Sequence, residues 1–366
     1  MGGQGRKLSF GAGPGLWPDE VLEAVAERLG PEARSGLSPL EWSHRGEAYI
    51  ELQAGVISRL QRLLSVPETH EVLLLPGGAT LQFAMVPMNL RREGQSADYL
   101  ITGHWARKAA DYAEWGGRVR RVASGEAQGF ARIPPREEWR LDPDAAYLHV
   151  TSNNTIAGTQ IQALPRDLGV PLVVDASSDV LTRELPLEEI ALLYAGAQKN
   201  LGPAGLTVVI VERSALDRLP RDLPGMLCYA EHAAGQSRLN TPPGALVLLM
   251  NEMLSWIEAQ GGAAEMHSRA ERRAAVVYQA LDRHRDLYRP LAAAGDRSRT
   301  NVVFRLEPPA SQGSFLKRAE AAGLTGLAGH RSVGGLRASL YAPMPVEGAK
   351  RLADFLEEYA RRPEAD

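Results

Sequence analysis

The sequence predicts an α/β protein: a mostly parallel central sheet in a large domain, then a smaller α+β domain at the C-terminal end. Three observations carry that expectation. Short continuous apolar runs alternate with helix-like segments over the front two-thirds of the 366 residues, as in a sheet buried on both faces. Polar or glycine residues of chemical interest stand where those runs stop. The back third changes character, with two long helical segments before any further strand.

Each element follows from its pattern. Residues 19–30 and 48–66 space their apolar residues as amphipathic helices do, for example Ile50, Leu52, Val56, Leu60 and Leu63. The run Glu71–Leu75 stops at Pro76-Gly77-Gly78, and helix-compatible sequence covers 79–90. Tyr99-Leu100-Ile101 precedes a helical stretch over 104–116. Tyr147–Val150 ends in the polar loop 151–155, Val170–Val174 ends at Asp175, Ala191–Ala195 runs toward Lys199, and Leu206–Val211 closes the series. Residues 244–260 form a helix stopped by Gly261-Gly262, and a charged helix with an expected solvated face spans 263–284. Strand-like 301–306 and 336–340 flank a helix near 312–322, and an amphipathic helix covers 346–361. The expected division is 1–255 for the large domain and 256–366 for the small one.

Composition excludes several classes. Hydrophobic residues are 44% and charged residues 23%, ordinary for a folded domain. A net charge of −3 provides no basic excess for nucleic acid or an anionic membrane. The one cysteine, Cys228, excludes an internal disulfide framework and Cys-based metal centres. A reducing, cytoplasmic compartment is therefore expected. No apolar run approaches the roughly 18 residues of a spanning helix, and the opening residues lack the apolar core of a signal peptide. The eight histidines show no pairing at metal-ligand spacing.

Ligands of open α/β sheets gather at the carboxyl ends of strands. Gly77-Gly78, His104-Trp105, Asn154-Thr155, Asp175 and Gln198-Lys199 all stand at such ends. Only five of the 41 basic residues are lysines, and Lys199 sits in glycine-rich surroundings between two apolar strands. A desolvated lysine is a nucleophile that forms Schiff bases with carbonyls; a loop lysine capping a carbonyl is the plainer alternative. Asp175 ends a buried strand, where a carboxylate is costly unless paired. The pyridinium nitrogen of pyridoxal phosphate would pair with it and become an electron sink, although Asp175 also suits a helix N-cap beside Ser177 and Ser178. Pro76-Gly77-Gly78-Ala79-Thr80 opens onto a helix and could cradle a phosphate with backbone N–H groups. Trp105 could stack on a ring or simply fill a core. Thr155 could reach a ring hydroxyl or form an ordinary turn.

Motifs along nearly the whole chain carry a resemblance. They include Phe10-Gly11-Ala12-Gly13-Pro14, Ser43-His44-Arg45-Gly46, the block from Tyr194 to Leu206, Asn240-Thr241-Pro242-Pro243, and the segment from Gly329 to Ser339. In these the chain resembles the phosphoserine aminotransferases, pyridoxal-phosphate enzymes of fold type I and class V. The resemblance implies Lys199 as the Schiff-base lysine and Asp175 as the pyridinium partner. It implies Trp105 stacked on the ring, Thr155 and Gln198 in contact with the cofactor, and Ala79 and Thr80 at its phosphate. Asn240 and Thr241 match positions that reach the cofactor of a neighbouring subunit, which implies a homodimer with shared active sites. Some relatives carry arginine where this chain has Thr80.

Such substrates, 3-phosphohydroxypyruvate and phosphoserine, carry a carboxylate at one end and a phosphate at the other, and need two cationic clamps. By resemblance, Arg337 binds the α-carboxylate, while His44, Arg45, His330 and Arg331 surround the phosphate and also accept the side-chain carboxylate of L-glutamate. A role with 4-phosphohydroxy-L-threonine is compatible with the same clamps. Other readings remain: a serine–glyoxylate type aminotransferase has no evident use for the second clamp, a cysteine desulfurase needs a mobile cysteine where Cys228 reads as packed, and a non-catalytic regulatory protein usually carries a fused DNA-binding module, for which this chain offers neither spare length nor a basic patch. A Rossmann dehydrogenase is disfavoured, because Gly11–Gly15 follows no strand of normal length.

Overall fold

A computed structural model describes residues 6–32, 36–216 and 222–363. In chain order the front elements are β1 (Leu8–Ser9), α1 (Asp19–Arg28), α2 (Glu47–Leu64), β2 (His70–Pro76), α3 (Ala79–Leu90), β3 (Ala97–Ile101), α4 (His104–Ala113), β4 (Val119–Ser124), β5 (Leu148–Thr151), β6 (Leu172–Asp175), β7 (Leu192–Gly196) and β8 (Leu206–Glu212). The rest are α5 (Arg213–Leu216), α6 (Tyr229–Ala234), α7 (Gly244–Ala259), α8 (Gly262–Arg283), β9 (Tyr288–Pro290), β10 (Asn301–Leu306), α9 (Gln312–Ala321), β11 (Leu324–Thr325), β12 (Leu336–Ser339) and α10 (Val346–Arg361).

The apolar runs of the front two-thirds become one seven-stranded sheet in the order β2-β8-β7-β6-β5-β3-β4. Strands β4, β3, β5, β6 and β7 pair in parallel. Only β8 runs against its neighbours β7 and β2. The expectation of a largely parallel α/β sheet therefore holds. Both faces are covered. Helix α2 lays Leu52, Val56, Leu60 and Leu63 on one face together with Val247, Leu254 and Ile257 of α7. On the other face, Phe83 and Val86 of α3 and Ala109 and Ala113 of α4 pack on Tyr99, Val173 and Tyr194. Burying each such aliphatic side chain contributes about 1.5–3 kcal/mol.

A three-stranded sheet, β12-β10-β9, and a parallel pair of β1 with β11 form the C-terminal layer. Its apolar cluster joins α8, α9 and α10 and takes in Phe10 from the N-terminal segment. The charged helix α8 has more than a solvated face. It buries Met266, Ala270, Arg273, Val277 and Leu281, and Arg273 is fully enclosed with its Nη1 donating to the carbonyls of Ala342 and Met344. Strand β4 departs from the sequence expectation. Its adjacent Arg120 and Arg121 break the apolar run, and as the outer strand it keeps a polar side. The helix expected over 104–116 ends at Ala113 in a short 3-10 turn leading to Gly117, which stands at φ +138°.

The order of strands fixes where a ligand can bind. The chain passes from β3 outward to β4, then returns to β5 on the other side of β3. That reversal opens a crevice beyond the carboxyl ends of β3 and β5, and Asp175 ends the next strand along.

Beneath the crevice lies a buried polar cluster. Tyr99 and Tyr147 share a hydroxyl–hydroxyl bond of 2.8 Å, and His149 Nε2 meets Tyr194 Oη at 2.9 Å. Burial pushes His149 down to about 3 from its ordinary 6.5. Neutral His149 binds fewer protons than the unfolded chain once the pH drops below 6.5. Its contribution is therefore intact above that value and is lost as acid is added, at about 1.4 kcal/mol per pH unit. Replacing His149 by Gln keeps a partner for Tyr194 and removes the titration. Unfolding midpoints measured from pH 7 to pH 4 should fall less steeply in His149→Gln than in the wild type; equal slopes would assign the acid sensitivity elsewhere.

Candidate active site

The crevice holds a cavity of about 520 Å³. Four parts of the chain build it. Gly77, Gly78, Ala79 and Thr80 come from the β2–α3 turn, Trp105 from the start of α4, Thr155 and Ile156 from the loop after β5, and Asp175 and Ser177 from the end of β6. Gln198 and Lys199 follow β7, and His330 and Arg337 reach in from the C-terminal layer. A larger cavity of about 940 Å³ lies between the end of α2 and the start of α8. It carries no lysine or cysteine, and its Arg62 and Arg166 are engaged by Glu258 and Glu189.

Asp175 is buried, with 5% of its surface exposed. Its Oδ1 accepts from the backbone N–H of Ser177 at 3.0 Å and from Ser177 Oγ at 2.6 Å. No hydrogen bond falls on Oδ2 among the described residues. Burial holds the carboxyl above its ordinary range, opposed by Ser177 and by the charge of Lys199. The local turn reading of Asp175 is thus realised on Oδ1, and Oδ2 is left without a hydrogen bond among the described residues. Ser177 also receives the N–H of Gly196 on its Oγ at 3.1 Å, so it ties the end of β6 to the end of β7. The sequence reading had treated Ser177 only as a turn residue.

Lys199 is half-buried, and its amine has no hydrogen bond or ion pair among the described residues. It lines the same cavity as Asp175 without forming an ion pair with it. Its backbone is packed tightly. Gly15 donates its N–H to the carbonyl of Gln198 at 2.7 Å, and a Cβ on Gly15 would stand 2.6 Å from the carbonyl oxygen of Lys199. Only glycine fits there, which accounts for the glycine-rich N-terminal segment.

The phosphate side is equally open. Gly77 has φ +99°, a conformation that favours glycine. Gly78 is the N-cap of α3, no side chain caps that helix, and nothing lies within 4 Å of where its Cβ would be. The N–H groups of Ala79 and Thr80 at the start of α3 have no hydrogen bond among the described residues, and a helix start favours an anion. Trp105 donates its Nε1–H to Thr155 Oγ1 at 3.2 Å, which fixes the indole across the cavity. Arg337 donates Nη1–H to the carbonyl of Thr155 at 3.0 Å, and its Nε is buried without a partner.

An orphaned carboxylate oxygen, a free amine, an indole and an open helix start fit the ring, aldehyde and phosphate of pyridoxal phosphate. Lys199, Asp175, Trp105, Thr155, Gln198, Ala79, Thr80, His330 and Arg337 are brought together. Arg331 is exposed beside His330 and does not line the cavity. His44, Arg45, Asn240 and Thr241 also lie outside its walls, and Arg45, Asn240 and Thr241 are exposed. Cys228 is buried, as a packed thiol would be.

Comparison with known proteins follows this geometry. The family description "Aminotransferase class-V" matches residues 8–352. A phosphoserine aminotransferase of Geobacillus kaustophilus is 44% identical over 98% of this chain and 99% of its own length. One from Laribacter hongkongensis is 45% identical over 97% of this chain and 98% of its own. Among solved structures, phosphoserine aminotransferase from Bacillus circulans subsp. alkalophilus superimposes with a TM-score of 0.95 at 42% identity, over 97% of this chain and 99% of that one. The pyridoxal-phosphate-bound phosphoserine aminotransferase of Trichomonas vaginalis gives 0.92 at 35% identity, over 96% and 100%.

The raised carboxyl of Asp175 has a stability consequence. The folded protein holds a proton there that the unfolded chain releases, so stability falls as pH rises out of the ordinary carboxylate range, and the cost persists at neutral pH. In cofactor-free protein, Asp175→Asn should therefore raise the melting midpoint at pH 7 by a few degrees, corresponding to about 1 kcal/mol. The same variant should bind pyridoxal phosphate at least about tenfold more weakly. A variant that melts lower and binds the cofactor unchanged would contradict both effects.

Proposed function

The chain belongs to the class-V aminotransferases and, within them, to the phosphoserine aminotransferases, and we infer that it moves the amino group of L-glutamate to 3-phosphohydroxypyruvate, giving O-phospho-L-serine and 2-oxoglutarate. One observation carries this reading on the chain's own residues: an uncommitted lysine amine and a half-committed buried carboxylate face one cavity that also contains an arginine and a histidine.

The residue roles follow from that arrangement. Lys199 would hold the aldehyde of pyridoxal phosphate, Asp175 its ring nitrogen, Trp105 its ring face, and the start of α3 at Ala79 and Thr80 its phosphate. Thr155 and Gln198 would complete the contacts. When bound, the cofactor supplies an electron sink for the substrate's α-carbon. Lys199 Nζ would act as the base that takes the α-proton of the amino donor and then as the acid that gives it back. Asp175 would be held ionised by positive charge at the ring nitrogen against its free oxygen, while Ser177 steadies the other oxygen with two hydrogen bonds. Trp105 is held in place by Thr155 and excludes water from one side of the site.

The substrate has two ends, and the site offers two cationic regions. Arg337 is half-buried and lines the cavity with one N–H fixed on Thr155, which suits the α-carboxylate common to both substrates. His330 and Arg331 suit the phosphate or the γ-carboxylate at the other end. His44, Arg45, Asn240 and Thr241 fit a homodimer in which a second copy supplies them across the interface. Exposed Leu40, Met226 and Leu239 lie in the same stretches of chain and support a covered surface there. No helix of the described residues is long and apolar enough to cross a membrane, and a lone buried cysteine suits a cytoplasmic setting.

A visible spectrum of the loaded protein tests the reaction. The cofactor band should bleach on adding L-glutamate and return on adding 3-phosphohydroxypyruvate. Lys199→Ala should show neither change; turnover by that variant would remove Lys199 from its role. For Arg337→Ala, kcat/KM should fall about a hundredfold for both substrates, the cost of one charged clamp. A loss confined to one substrate would contradict a shared carboxylate site.

A further inference from the structure

A second imidazole stands beside two of the cavity's lining rings, Trp105 and His330. His104 opens α4 immediately before Trp105 and stands edge-on to that indole, with ring centres 5.2 Å apart. Its ring centre is 6.1 Å from that of His330, which lines the cavity from the loop before β12. His104 is exposed, and its ring nitrogens have no hydrogen bond among the described residues.

The state of His330 can be read from its partners. Its Nδ1 accepts the backbone N–H of Ser332 at 3.2 Å and lies 2.7 Å from Ser332 Oγ. In the neutral ring the proton is therefore on Nε2, which remains a donor with no partner among the described residues. A spacing of 6.1 Å between ring centres leaves room for one oxygen accepting from both rings at about 2.7–2.9 Å.

We propose that His104 is a further binding residue for the substrate's phosphate, which it shares with His330 across the mouth of the cavity. The inference rests on the reading of His330 and Arg331 as the phosphate side of the site. The groups around the pair favour an incoming dianion. From its own helix, Arg107 and Lys108 face His104, with Asp111 opposing them; His330 faces it from the C-terminal layer. Around His330 stand Arg331, Arg337 and His104. Arg107 is engaged by Glu126, and Lys108 lies over the rings of Trp105 and Tyr112. Partial burial and these cations hold both imidazoles below their ordinary range in the free protein. A phosphate near −2 reverses that field, so one imidazole takes up a proton from solvent as the phosphate binds.

The pair then distinguishes the two substrates. A phosphate has three oxygens and nearly two charges, and can use both rings and Arg331 together. The γ-carboxylate of glutamate has two oxygens and one charge, and gains less from His104.

The test compares wild type with His104→Asn in two ways. In steady state, the KM for 3-phosphohydroxypyruvate should rise about tenfold and the KM for glutamate at most about threefold. By calorimetry on the pyridoxal-phosphate-loaded protein, in which the start of α3 is already taken, inorganic phosphate should bind about tenfold more weakly to the variant, and its affinity should fall less between pH 6.5 and 8.5 than in the wild type. The second ionisation of phosphate is common to both proteins and cancels in that comparison. Equal changes in both KM values would reduce His104 to a support for Trp105 and overturn the proposal, as would unchanged phosphate binding. If the wild type does not turn over 3-phosphohydroxypyruvate yet the variant loses phosphate affinity, the phosphate role of His104 stands and the substrate assignment falls.

Discussion

A carboxylate at the end of a buried parallel strand is the constraint on which the rest of the site depends. Asp175 cannot be satisfied by the protein alone. Among the described residues, Ser177 serves one oxygen, burial raises the carboxyl, and Lys199, the cation that acts on it, stands off without an ion pair. In the proposed function, a positively charged ring nitrogen at the free oxygen would offset that cost. An apolar residue at 175 would have made a more stable strand and no site.

Everything else arranges access to that oxygen. Parallel pairing of β6 with β7 sets Asp175 against Tyr194 in register, and five residues later the chain delivers Lys199. Ser177 holds both strand ends at once through Asp175 and Gly196. The reversal between β3 and β5 opens the crevice, and Trp105 and Thr155 close it with one hydrogen bond. The C-terminal layer contributes at a distance. Ala342 donates its N–H to Asn200 Oδ1 at 2.9 Å, while Arg273 holds the carbonyls on either side of Pro343, so the segment next to Lys199 is braced by a helix from the other core.

Much of this was legible in the sequence. Continuous apolar runs marked β2, β3, β5, β6, β7 and β8, because strands buried on both faces need no alternation. Strand β4 was hidden because an outer strand tolerates Arg120 and Arg121. Strands β9 and β11 were hidden because two or three residues make no pattern. Lys199 and Asp175 stood out because polar groups at the ends of apolar runs are expensive. Ser177 did not, since a serine after an aspartate is common for local reasons; His104 was legible as a group at a strand end, but only distances reveal its neighbour His330. Arg273 was read with a solvated helix because charge density along α8 masked a face of small residues. His44, Arg45, Asn240 and Thr241 lie outside the cavity of a single chain, where no reading of one chain's contacts can assign them a role.

The central claim is a covalent one: the amine at position 199 carries the cofactor's aldehyde. Reducing the pyridoxal-phosphate-loaded protein with borohydride fixes that bond, and peptide mapping by mass spectrometry then locates it. The account predicts a pyridoxyl label on the peptide containing Lys199 and on no other lysine of the chain. A label on Lys7, Lys108, Lys317 or Lys350 in its place, or no label at all, would contradict it.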